Sequence, residues 1–193
     1  EAIFEEQVSF MEWPDRIQSI ATVGETLELA RLLSDSIKKQ VGVKSDLLLA
    51  DGYDEAVNYD ALFVPIHLVG EFRSLSDTIR ILPVVFHYDA DVLLSIMDRA
   101  AIEAIGLVTA EEGSITKIIN ELKSLMKFEG AFVAGATYGK SLPLFVRNTD
   151  LILYTPASAR LVEEKVPEKK RIKLEYILSE KSADMIRSEL WDQ

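Results

Sequence analysis

Short apolar runs alternate along this chain with longer stretches in which apolar residues recur every three or four positions. Residues 20–23 (Ile, Ala, Thr, Val) read as a strand, and Gly24 marks the turn that ends it. Residues 25–40 then carry Leu27, Ala30, Leu33 and Ile37 on one helical face. A strand is predicted at 46–50, closed by Asp51-Gly52, then a buried strand at 61–66 and a short helix at 71–76. The first half ends with a strand at 81–86 and a helix at 90–101 that turns Leu93, Ile96 and Met97 inward. The second half repeats the rhythm. It has a strand at 105–109, a helix at about 112–127 bearing Ile115, Ile118, Ile119, Leu122 and Leu125, and strands at 131–134 and 151–154. A helix at 157–164 and a strand at 171–177 follow, and Ser179 caps a final helix that carries Ala183, Ile186 and Leu190. Apolar strands alternating with amphipathic helices call for a largely parallel sheet covered on both faces.

The two halves are versions of one another. Asn58-Tyr59-Asp60-Ala61-Leu62-Phe63-Val64-Pro65 answers Asn148-Thr149-Asp150-Leu151-Ile152-Leu153-Tyr154-Thr155. The strand-plus-helix around Val84 to Asp91 answers the one around Lys173 to Ser182, and residues 20–23 answer 105–108. A period of roughly 85 to 90 residues is too long for a solenoid repeat and describes a duplicated domain. The expected fold class is α/β, with duplicated flavodoxin-like or receiver-like units, largely parallel sheets and helices on both faces. The expected divisions are an N-terminal arm or edge strand at 1–19, bounded near Trp13-Pro14, a first repeat at 20–102 and a second at 103–193. One continuous sheet across the halves is the alternative.

Composition narrows the function classes. The net charge of -11 speaks against nucleic-acid contact by this segment, since phosphate binding needs a positive face. It also disfavours an anionic membrane surface, and no segment reaches transmembrane length. No cysteine is present, so disulfides and thiolate zinc sites are excluded, and a cytoplasmic location is the default expectation. The chain begins at Glu1 rather than Met, from which a preceding segment is expected.

The segment Ala134-Gly135-Ala136-Thr137-Tyr138-Gly139-Lys140-Ser141 resembles a phosphate-binding loop, in which backbone amides cradle phosphate. Ala134 stands at the first glycine position, and Pro143 interrupts the helix such a loop should open. A glycine-bearing turn lining a pocket for a smaller anion is the alternative. Gly24 stands alone where a dinucleotide fingerprint has three glycines, and Glu25 beside it would repel phosphate. No aspartate ends either third strand, where Val64-Pro65 and Tyr154-Thr155 stand, so receiver-type phosphorylation is not expected. His67 and His87 both fall at strand ends. Asp89 and Asp91, next to His87, sit where a helix takes its N-cap, which accounts for them without a metal. The basic cluster from Lys165 to Lys173 reads as a solvated loop. Right-handed crossovers bring the strand-to-helix loops to one edge. Candidate ligand contacts there are Thr22, Gly24, Pro65, His67, Thr109, Gly135, Thr137, Tyr138, Lys140, Ser141 and Thr155. No catalytic residue, metal or cofactor is assigned.

The twin pattern resembles the C-terminal regulatory region of GntR-type transcription regulators, in which tandem receiver-like units follow a winged helix-turn-helix. The residues that carry it are Asp150-Leu151-Ile152-Leu153 and Lys173 to Ser182, with Asp60-Ala61-Leu62-Phe63 and Val84 to Asp91 as counterparts. The resemblance implies a non-catalytic ligand-sensing or dimerising domain, with a small-molecule effector, a homodimer, and DNA reached only through a separate N-terminal head. A two-lobed solute-binding protein and an enzyme acting on a phosphorylated substrate through the Gly135 to Ser141 loop are the competing expectations.

Overall fold

A computed structural model describes residues 17–99 and 104–191. Residues 1–16 of the arm expected at 1–19 and the end of the helix expected at 90–101 lie outside the described residues. In chain order the elements are β1 (Ile20–Gly24), α1 (Leu27–Val41), β2 (Asp46–Leu49), α2 (Tyr53–Ala56), β3 (Ala61–Pro65), β4 (Arg80–Val84) and β5 (Phe86–Tyr88). Next come α3 (Ala90–Met97), β6 (Ala104–Thr109), α4 (Ile115–Leu125), β7 (Ala131–Ala136), β8 (Leu151–Tyr154), α5 (Ala159–Lys165) and β9 (Arg171–Lys173). β10 (Tyr176–Leu178) and α6 (Glu180–Trp191) complete the chain.

The chain is α/β, with two parallel four-stranded sheets flanked by helices. The first sheet has order β2-β1-β3-β4 and the second β7-β6-β8-β9. Counted within each sheet, both orders are 2-1-3-4, the flavodoxin-like arrangement. β5 and β10 form a separate two-stranded ladder, so one continuous sheet is not what the chain builds.

The repeat in the sequence and the compact units in space have different boundaries. One unit is residues 1–87 with 176–193, and the other is 88–175. Each copy's last helix is therefore given to the other unit. In the first unit, Ala183, Ile186 and Leu190 of α6 join Ile20, Leu33, Ala61, Phe63 and Leu82 in one buried cluster. In the second unit, α3, the last helix of the first copy, lies against β9. Periodicity identifies a helix and its buried face, but nothing in it says which of two similar sheets the helix will cover.

Polar side chains fix the transferred segment in the first unit. Gln40 pairs with both backbone groups of Leu178: its Nε2 donates to the carbonyl at 2.9 Å and its Oε1 accepts from the amide at 2.6 Å. The amide mimicry lets one side chain act as a rung of a missing strand. Ser36 Oγ also accepts from the Leu178 amide, and Ser182 Oγ accepts from the Val85 amide at 2.8 Å.

Local chemistry explains the shifts from the expected elements. Thr26 caps α1 by accepting from the Leu29 amide, so the helix starts at Leu27 and leaves Glu25 on the preceding turn. At its other end Gly42 takes φ +80, and its amide reaches the Lys38 carbonyl. The helix expected at 71–76 is a run of 3₁₀ turns over residues 66–75, and the strand expected at 171–177 is interrupted at 174–175. Among the described residues, no helix is long and apolar enough to cross a membrane.

Candidate functional site

In each unit the strand order reverses between the first and third strands, the point where sheets of this kind take their ligands. In the first unit that point lies between β1 and β3. Gly24 ends β1 against α1: a Cβ on it would stand 2.4 Å from the Ala30 amide nitrogen, so only glycine lets the helix start so close. Glu25, next along, meets His67, which follows Pro65 at the end of β3. Glu25 Oε1 and His67 Nε2 are 2.7 Å apart, and the imidazole is about half exposed. Glu25 and His67 thus close this point, beside Pro65, with a carboxylate–imidazole pair. Thr22 is not at the edge. It is buried within β1, its hydroxyl 2.6 Å from Ser45 Oγ, which is in turn 3.0 Å from Ser34 Oγ.

The second unit closes the same point with hydroxyls. Thr109, Thr155 and Ser158 are fully buried at the ends of β6 and β8. Thr109 Oγ1 donates to the Glu111 carbonyl, and Ser158 Oγ lies 3.1 Å from the Val108 carbonyl and 2.9 Å from that of Thr155. Thr155 Oγ1 sits 3.2 Å from Ser158 Oγ. The Thr109 and Ser158 hydroxyls are committed to the backbone and that of Thr155 to Ser158, so they work as internal caps.

The glycine-bearing loop is committed in the same way. The amides of Thr137 and Tyr138 donate to the carbonyls of Thr109 and Ala110, and those of Lys140 and Ser141 to Thr137 O. The Gly139 amide donates to Thr137 Oγ1 at 3.2 Å. A phosphate cradle needs amides that converge on empty space; here every amide from 137 to 141 already has an acceptor. Gly135 has a packing reason, because a Cβ there would fall 2.7 Å from the Pro143 ring. Tyr138, at φ +50, extends its hydroxyl to Glu112 Oε2 at 2.7 Å, and that bond pushes its ionisation up. Lys140 and Ser141 are exposed. Asp89 caps α3 by accepting from the Asp91 amide, and among the described residues no group of three His, Cys, Asp or Glu side chains is placed to hold a metal.

Of the candidate contacts, only Ser141 borders one of the clefts described next. That cleft, of about 570 Å³, opens in the second unit between the crossover leading into β8 and the segment joining α5 to β9. Its apolar lining includes Leu142, Val146, Ile152 and Val166, and Arg147, Lys165 and Lys170 are the cations around it. Among the described residues no acidic one lines it, in a chain with 32 acidic and 21 basic residues. None of the three cations is ion-paired among the described residues. Behind the floor, Tyr154 donates to Glu163 Oε1 at 2.8 Å, and burial, more than that bond, pushes its ionisation up to about 12.

A cleft of similar size in the first unit, about 600 Å³, borders Arg31, Lys38 and Lys44, but Asp35 and Asp46 stand among them. The second-unit cleft escapes a reading of the sequence because its walls lie some twenty residues apart. One faint signal exists. The step from Asp60 to Asp150 pairs Phe72 with Val162 and Leu75 with Lys165, so apolar bulk in one copy becomes a smaller side chain and a charge in the other. Comparison with family models, with curated proteins and with solved structures returns no match.

Proposed function

We propose that this chain is a non-catalytic ligand-sensing module of a transcription regulator, assembling as a homodimer and reaching DNA only through another segment. The observation that carries the ligand-sensing part is the open cleft of the second unit, with an apolar floor and three cations that have no ion-pair partner among the described residues. Its volume falls in the range of small-molecule sites. The groups that an enzyme of this topology would hold ready at its strand ends are committed here to the backbone or to each other. The regulatory part rests on the resemblance of the duplicated receiver-like pattern to GntR-type regulators. The twin 2-1-3-4 sheets are compatible with it.

Thermal-shift screening against a metabolite panel, with each hit recovered and weighed by mass spectrometry, tests the reading. A sensor raises its melting temperature by several degrees at about one hundred times Kd and returns the compound unchanged. A panel with no hit leaves a scaffold, and a chemically altered compound makes the chain an enzyme. Light scattering on the eluting protein checks the homodimer by its mass.

A further inference from the structure

We infer that the cleft between residues 141–147 and 165–170 takes a small amphipathic organic anion, with its acid group at the cations and its apolar body on the floor. This rests on the ligand-sensing reading and names the ligand class.

Three features of the cleft lead there. The first is charge. Arg147, Lys165 and Lys170 line one cleft with no carboxylate among the described lining residues, although the chain as a whole carries a net charge of -11. A cation cluster inside an acidic protein is a local potential well that draws anions from solution. The second is the floor. Ile152 and Val166 are buried, Leu142 and Val146 are half-buried, and all four face the same space. Inorganic phosphate would leave that apolar surface wet, whereas an acid with a hydrocarbon body would cover it. The third is Leu144 at the lip, a large apolar side chain 86% exposed. Leucine so exposed gains nothing from folding, but a ligand body laid across the cleft would shelter it.

The first unit differs at the matching crossover. Phe72, the counterpart of Val162, is fully buried beside Tyr53, with ring centroids 5.3 Å apart and the rings tilted. The cleft of similar size in that unit has Asp35 and Asp46 among its cations, so it lacks the all-cationic lining.

Octanoate is the probe, with octan-1-ol, acetate and inorganic phosphate as the comparison compounds, followed by backbone amide NMR shifts of the whole chain. Octanoate is expected to shift the amides of 141–147 and 165–170 saturably and more tightly than the other three. The R147E/K170E double variant should weaken octanoate by roughly tenfold or more, the worth of a lost charge-assisted contact. R147Q/K170Q repeats the test without charge reversal, should the first variant disturb the fold. The Leu144→Ser variant should weaken octanoate and leave acetate unchanged. Octanol binding as tightly as octanoate would overturn the role of the cations. Phosphate binding as tightly would overturn the role of the apolar body. Shifts elsewhere, or none at millimolar octanoate, would overturn the site. A metabolite from the thermal screen whose shifts map elsewhere would remove this inference and leave the sensing reading standing.

Discussion

The same face of the two sheets has been finished in two ways. In the first unit, Leu62 and Val64 of β3 are covered by Leu68, Phe72 and Ile79, with Ala56 fully buried alongside. In the second, the matching Ile152 and Tyr154 of β8 meet Val162 and Val166, while Phe145 and Val146 are only partly buried. Where one copy has Phe72 the other has the smaller Val162, and two members of that second cluster, Ile152 and Val166, line a cleft. An identical strand order therefore does not dictate an identical surface. Strand order is set by the backbone and by alternating apolar residues on two faces. The cover over those faces is set by a few large side chains in the crossovers, which can change without disturbing the sheet.

The comparison breaks most severely at Phe72. Replacing it with alanine removes a fully buried ring and its neighbour for Tyr53, and should cost about 3–5 kcal/mol. Chemical denaturation followed by far-ultraviolet dichroism measures the loss. A cost below about 1 kcal/mol would mean that the first unit tolerates a cavity where the second has a cleft, and that the two faces are closer in kind than their packing indicates.

Much of this architecture can be read from the chain, because strands and amphipathic helices announce themselves through local periodicity. The parallel class, the duplication, and the caps at Asp89 and Ser179 come from residues within a few positions of one another. The reciprocal placement of α3 and α6 does not. For α6 it depends on Gln40 and Ser36 meeting Leu178 well over a hundred residues away, and a polar pair of that kind has no pattern in sequence. The glycines were misleading for a related reason. Gly24 and Gly135 look like ligand-loop glycines, but their lack of a side chain serves close packing against Ala30 and Pro143. The cleft was hidden too, since a cavity is defined by what is absent from the space between distant segments.

Those two glycines sharpen the comparison next. An alanine at 24 would place its Cβ against the Ala30 backbone, which cannot move without shifting the start of α1. The expected cost of Gly24→Ala is about 3 kcal/mol, at the upper end for overpacking. At Gly135 the obstructing atoms belong to the Pro143 and Phe145 side chains, on the crossover that borders the cleft. That crossover has free space beside it, so Gly135→Ala should cost roughly half as much. Equal costs in paired denaturation curves would show that the cleft wall is as rigid as a helix start.

The smallest effect is expected at Leu144, and its smallness is informative. A leucine buried like Leu62 would lose several kcal/mol on truncation, but one with 86% of its surface in water has almost no burial to lose. Leu144→Ser should leave stability within about 0.5 kcal/mol of the parent, as exposed substitutions usually do. If it does, the apolar lip of the cleft contributes nothing to folding, and its presence has to be explained by what it touches in use. A loss above about 1 kcal/mol would instead place Leu144 in the core in solution, with the crossover folded down over Ile152. The second unit would then be closed like the first, and the difference between the copies would be one of degree.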